Sequence, residues 1–127
     1  MKKDIGSRED IELLMKTFYD HLLSDERISY IFTDVAKIDI EKHLPIIVDF
    51  WETVILHKNV YHNNTMKIHL DLHKKSVLSK EHFEVWLSHF NTSVDELFEG
   101  TNALLAKQRA KSVATVMQIK IAQKPML

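Results

Sequence analysis

Three side chains of this sequence could hold a small ligand by hydrogen bonds. His43 precedes Ile47, Phe50 and Val54 at helical spacing, so an imidazole heads an otherwise apolar strip. Tyr19 borders the apolar side of an earlier segment, beside Phe18. Trp86 lies within the stripe Phe83, Trp86, Leu87, Phe90. A buried tyrosine hydroxyl or indole N–H must find a partner, and an imidazole can donate or accept. For each residue packing is the plainer alternative: a core-edge histidine with its bond satisfied, and two aromatic rings filling space.

A second group is His69 and His73, in the run His69-Leu70-Asp71-Leu72-His73, which a helix would bring to one face. Spacing alone leaves three readings. The pair could hold zinc, although Leu70 stands where a zinc-protease motif has glutamate. His69 could be the single axial ligand of a haem iron. The pair could also be two surface histidines, and spacing alone ranks that reading first. His82 and His89 are seven apart on the Trp86 helix, His21, His57 and His62 show no useful spacing, and all five read as mostly solvated.

Helices must carry these residues. Ser7-Arg8-Glu9-Asp10 reads as a capping box opening a helix with the apolar face Ile11, Leu14, Met15, Phe18, Tyr19 and Leu22. Ser24-Asp25 marks a break, after which a short helical turn carries Ile28, Ile31 and Phe32. A long helix spans 40–56 with the stripe Ile40, Leu44, Ile47, Trp51, Val54 and Ile55, and Pro45 is placed near its start, where a missing donor costs least. Residues 57–65 read as a loop and 66–74 as a short helix. Ser79 caps a helix carrying Phe83, Trp86, Leu87, Phe90, Val94, Leu97 and Phe98, which Gly100 ends. The last helix carries Ala106, Ala110, Val113, Met117 and Ile121, and 123–127 is expected to fray. No strand alternation occurs, so the fold class is all-α.

Composition sets the limits. The chain of 127 residues has 45% hydrophobic and 28% charged residues, with only 2 Gly and 2 Pro, which suits one domain of long helices. With 0 Cys it has no disulfide, thiolate metal site, iron–sulfur cluster or covalent haem attachment. No signal peptide or membrane span is expected, which predicts a cytoplasmic protein. A net charge of −1 without a basic block argues against nucleic acid as a partner.

Taken together and in order, the motifs resemble those of the truncated haemoglobins, most closely their third group. Phe18-Tyr19 is similar to the family's distal tyrosine site, and Phe32 falls where the family keeps an aromatic against the haem. Glu41-Lys42-His43-Leu44 with Asp49-Phe50-Trp51 resembles the distal helix and its histidine. Met66-Lys67-Ile68-His69-Leu70 resembles the proximal segment, and His82-Phe83-x-x-Trp86-Leu87-x-x-Phe90 the family's H-F-x-x-W-L-x-x-F stretch. One departure is Tyr61-His62-Asn63-Asn64-Thr65-Met66, where the family often has Y-x-G-x-P-M.

The resemblance, over residues 7–120, implies a shortened globin fold packed two-on-two around non-covalent haem b. It implies His69 as proximal iron ligand and Tyr19, His43 and Trp86 as distal donors. Phe32, Ile47, Phe50, Met66, Phe83 and Phe90 would enclose the porphyrin, and Lys67 or His73 would meet a propionate. The ligand would be oxygen, nitric oxide or carbon monoxide. Several donors imply slow release, which points to nitric-oxide detoxification or peroxide chemistry with a reductase as partner. Without the resemblance the residues leave other readings open: a haem-free helical interaction module, a non-haem metal protein using His69 and His73, or a gas sensor whose output lies in another protein.

Overall fold

The computed structural model describes residues 2–35, 37, 39–57 and 78–123. Among them are five α-helices, one π-helical turn and no strand. Helix α1 spans Arg8–Leu23, α2 Glu26–Tyr30, α3 Ile40–Leu56, α4 Lys80–Leu97 and α5 Thr101–Gln123, and the π-helical turn Ile31–Val35 continues α2. The helix expected over 66–74 lies outside the described residues.

Helices α1, α2 and α3 begin where local chemistry satisfies their free N–H groups. The Ser7 hydroxyl accepts from the Asp10 N–H at 3.2 Å, Asp25 from that of Arg27 at 3.0 Å, and Asp39 from that of Glu41 at 3.1 Å. Helix α3 ends at His57, which takes a left-handed conformation (φ 59°). Pro45 lies in the second turn of α3 rather than at its first position, so the Glu41 carbonyl lacks its intrahelical donor; both residues are exposed, where water satisfies that oxygen.

Two helix pairs build the core. Helix α1 packs on α3 and α4 on α5, and the pairs meet through α1 against α4 and α3 against α5. This is the expected two-on-two sandwich. All six expected apolar residues of α1 are buried. Phe90 is fully enclosed, with its ring centroid 5.2 Å from Phe18, 4.7 Å from Trp51 and 5.8 Å from Trp86. On α3 the deepest face differs from the expected stripe: Val48, Trp51 and Ile55 are buried, whereas Ile40, Leu44, Ile47 and Val54 are only partly covered. Arg8 ties the start of α1 to α3 by donating from one nitrogen to Asp49 and Glu52, each at 2.8 Å.

Gly100 corrects one expectation. Helix α4 ends at Leu97, and the Gly100 carbonyl accepts from the Leu104 N–H at 2.9 Å, so Gly100 opens α5 instead of closing α4. The cap of α5 comes from across the chain. The Asp4 carboxylate accepts from the N–H groups of Asn102 at 2.9 Å and Ala103 at 2.8 Å. Burial alone would raise the Asp4 pKa, but these bonds, with those of Ile5 and Thr101, hold it below the ordinary value. Gly100 has φ 140°, and a Cβ there would sit 2.5 Å from the Asp4 Cγ. Only glycine accepts both conditions without strain.

Gly100→Ala should therefore cost about 1–3 kcal/mol in urea unfolding, and Asp4→Ala about 1 kcal/mol for the lost cap. The double variant should lose less than the sum, because the methyl group already displaces the carboxylate. Additive losses would show that the two residues do not act on one cap.

Candidate functional site

Helix α1 places Phe18 and Tyr19 side by side but gives them different surroundings. Phe18 faces Phe90 and Trp86, the latter with centroids 5.5 Å apart. Tyr19 turns to the start of α3, where its hydroxyl lies 2.9 Å from Nε2 of His43. Its ring is held by Phe18 at 5.4 Å, by Phe32 edge-on at 5.8 Å and by His43 edge-on at 5.4 Å. Tyr19 is buried and His43 half-buried. Burial pushes the Tyr19 hydroxyl well above the ordinary tyrosine range, because an anion there would lose its hydration. Tyr19 thus keeps its proton at any physiological pH.

Two tautomers of His43 fit this hydrogen bond. With the proton on Nδ1, Tyr19 donates to Nε2 and its hydrogen is used. With the proton on Nε2, His43 donates to the Tyr19 oxygen, and the Tyr19 hydrogen is free to serve another acceptor. Both tautomers keep the contact, and the second leaves the Tyr19 hydrogen for an outside acceptor.

Trp86 lies one turn before Phe90 and stacks on it with an interplanar angle of 20°. It is half-buried, and among the described residues its indole N–H meets no acceptor. The expected apolar neighbours divide into two sets. Phe32, Ile47 and Phe50 are half-buried against the core, while Phe83 and Phe90 are buried within it. Tyr19 and His43 thus touch directly, and Trp86 joins them through Phe18. His69, Met66, Lys67 and His73 lie outside the described residues.

Three histidines read as solvated are in fact engaged. His89 bonds through Nε2 to Asp25 at 2.7 Å and stacks on His21, whose own Nε2 lies 3.2 Å from Glu96. Two bonds from Arg27, at 3.0 and 2.7 Å, and then the one from His89 hold the Asp25 carboxyl far below its usual range. His82 completes a capping box with Ser79 and reaches Tyr30. The Ser24-Asp25 break signalled a helix start, but nothing in local spacing shows that His89 is its partner across the fold.

No protein-family model matches the chain. Among curated proteins it is 29% identical over 121 residues to a group 3 truncated hemoglobin of Campylobacter jejuni, covering 93% of each chain. The fold matches the crystal structure of a group III truncated hemoglobin from Campylobacter jejuni with a TM-score of 0.84 and 27% identity, covering 95% of each chain.

The raised pKa of Tyr19 has a signed consequence. A tyrosine whose folded pKa exceeds its unfolded value of about 10 contributes fully below pH 10 and progressively less above it. Chain stability should fall as pH rises beyond about 10, and Tyr19→Phe should remove that component while costing about 1 kcal/mol at neutral pH. An unchanged alkaline slope in the variant would show that Tyr19 ionises freely.

Proposed function

This chain carries the sequence likeness and the fold of a group III truncated haemoglobin, and on that premise we propose that it binds haem b non-covalently and uses the Tyr19–His43 pair to retain a diatomic gas. The observation carrying this reading is a permanently protonated, buried hydroxyl bonded to an imidazole among half-buried apolar side chains. The residues present fit a haem. Phe32, Ile47, Phe50 and Trp86 are apolar surfaces that the described protein leaves partly uncovered, suited to a flat apolar ring. His69 is proposed as the residue that would hold the iron and Met66 as one that would contact the haem, both from the motif resemblance. Phe83 and Phe90, being buried, would support the pocket from behind.

Ferrous haem, when bound, supplies an open coordination position that takes up oxygen, nitric oxide or carbon monoxide. The protein supplies the donors. The Tyr19 hydrogen would stabilise negative charge on a ligand in the pocket whenever His43 donates to the Tyr19 oxygen. The unspent Trp86 N–H is a second donor. The apolar residues exclude water, which strengthens both bonds. Each such bond is worth about 1.5–3 kcal/mol, or roughly tenfold to a hundredfold in release rate.

Tight retention suits chemistry on the gas better than delivery of it. We therefore propose nitric-oxide detoxification, with peroxide reduction as the second redox reading, and a reductase as electron source. Where haem is absent, the donors Tyr19, His43 and Trp86 would serve only packing.

The test is stoichiometric haemin uptake by the purified chain, followed by reduction and visible spectra with and without carbon monoxide. A sharp Soret band that shifts with carbon monoxide is expected, with five-coordinate character lost in His69→Ala. Tyr19→Phe should speed oxygen release by about tenfold or more. No haem uptake would overturn the reading, and unchanged His69→Ala spectra would move the ligand to another histidine.

A further inference from the structure

His82 opens the aromatic stretch of α4, yet neither the fold nor the gas pocket accounts for it. Both of its ring nitrogens are committed. The Ser79 N–H donates to Nδ1 at 3.1 Å, while the Ser79 hydroxyl accepts from the His82 N–H at 3.2 Å. Nε2 lies 2.9 Å from the Tyr30 hydroxyl, at the end of α2. The first contact fixes the tautomer. An Nδ1 that accepts from a backbone N–H carries no proton, so the hydrogen of the neutral ring is on Nε2 and donates to the Tyr30 oxygen.

Each end of this bridge adjoins the pocket. Tyr30 is followed by the π-helical turn Ile31–Val35, which carries Phe32 against Tyr19. His82 precedes Phe83 and lies one turn before Trp86. We propose that His82 is a positioning residue: as a neutral, Nε2-protonated imidazole it clamps the start of α4 to the end of α2, and thereby fixes Trp86 relative to Phe32 and Tyr19. The link to Trp86 rests on the proposed gas pocket; the clamp itself does not.

A second proton on the ring would place N–H against N–H at Ser79 and remove half of the capping box. The bond to Tyr30 can persist, but the ring can no longer hold both helices. Acid therefore releases the start of α4. Among the described residues, Glu81 on α4 and Arg27 on α2 attract one another, and Lys80 pairs with Glu84 on the outer side of α4. Two other engaged histidines act in the opposite sense. His89 and His21 face the carboxylates of Asp25 and Glu96, and these contacts strengthen when the rings are charged.

Three variants of the full chain test this. His82→Gln keeps a capping-box residue that does not titrate, His82→Ala removes the cap at every pH, and Tyr30→Phe removes only the acceptor. Long-range nitrogen–proton NMR at pH 8, assigned by the signal missing in His82→Gln, should show His82 as the Nε2–H tautomer. The thermal midpoint of the wild type should fall relative to His82→Gln by roughly 3–5 °C between pH 8 and 5. On haem-loaded protein, carbon monoxide release should accelerate over the same range in the wild type more than in His82→Gln, and Tyr30→Phe should release faster at pH 8. An Nδ1–H tautomer at pH 8, or parallel pH profiles for wild type and His82→Gln, would overturn the proposal. Should the chain take up no haem, the gas-binding reading falls, while the tautomer and the thermal profiles still decide the role of His82.

Discussion

Phe90 is where three helices are pinned together. Its ring meets Phe18 of α1 and Trp51 of α3, with none of it left exposed. A buried aromatic of this kind costs about 3–5 kcal/mol to truncate. The site follows from that junction by helical geometry. Tyr19 is the neighbour of Phe18, Ile47 is one turn before Trp51, Phe50 adjoins it, and Trp86 is one turn before Phe90. Tyr19, Ile47, Phe50 and Trp86 thus each adjoin one of the rings that set the helices in place. Such anchoring fixes a donor to within the tolerance that ligand binding needs, because the anchor cannot shift without opening a cavity.

The polar groups follow a related economy, in which side chains distant in sequence close local helix ends. Asp4 caps α5 from the other end of the chain, and its approach is what makes Gly100 obligatory. Asp25 caps α2 and also receives His89 of α4. A cap that doubles as a tertiary contact couples formation of a helix to docking of its neighbour. That coupling supports a single arrangement of the described helices.

Much of this architecture is legible in the sequence because it is periodic. The bounds of α3 and the buried face of α1 follow from apolar spacing, and Ser7 and Ser79 announce their helices. What was not legible depends on pairing over long distance. His82, His89 and His21 have no diagnostic spacing because their partners lie on other helices. Gly100 looks like a helix end because glycine after an apolar stripe is the usual signal; its role at the start of α5 depends on the approach of Asp4. Trp51 and Phe90 look alike as stripe residues, and only packing separates the core anchors from the half-covered Ile47 and Phe50.

Two imidazoles in this fold pose the same problem of hydrogen allocation and answer it differently. At His82 a backbone N–H occupies Nδ1, so the tautomer is dictated and the ring behaves as a fixed strut. At His43 the Tyr19 hydroxyl can donate or accept, and either tautomer satisfies the bond. An ambivalent partner costs little rigidity, because the heavy atoms stay 2.9 Å apart in both states. In the Nε2–H form of His43 the Tyr19 hydrogen serves an outside acceptor. A polar or partly charged ligand would draw the Tyr19 hydrogen and thereby select the Nε2–H form of His43, whereas an apolar ligand would gain nothing from that exchange. Discrimination between ligands of similar size can then arise from a proton position rather than from a change in shape.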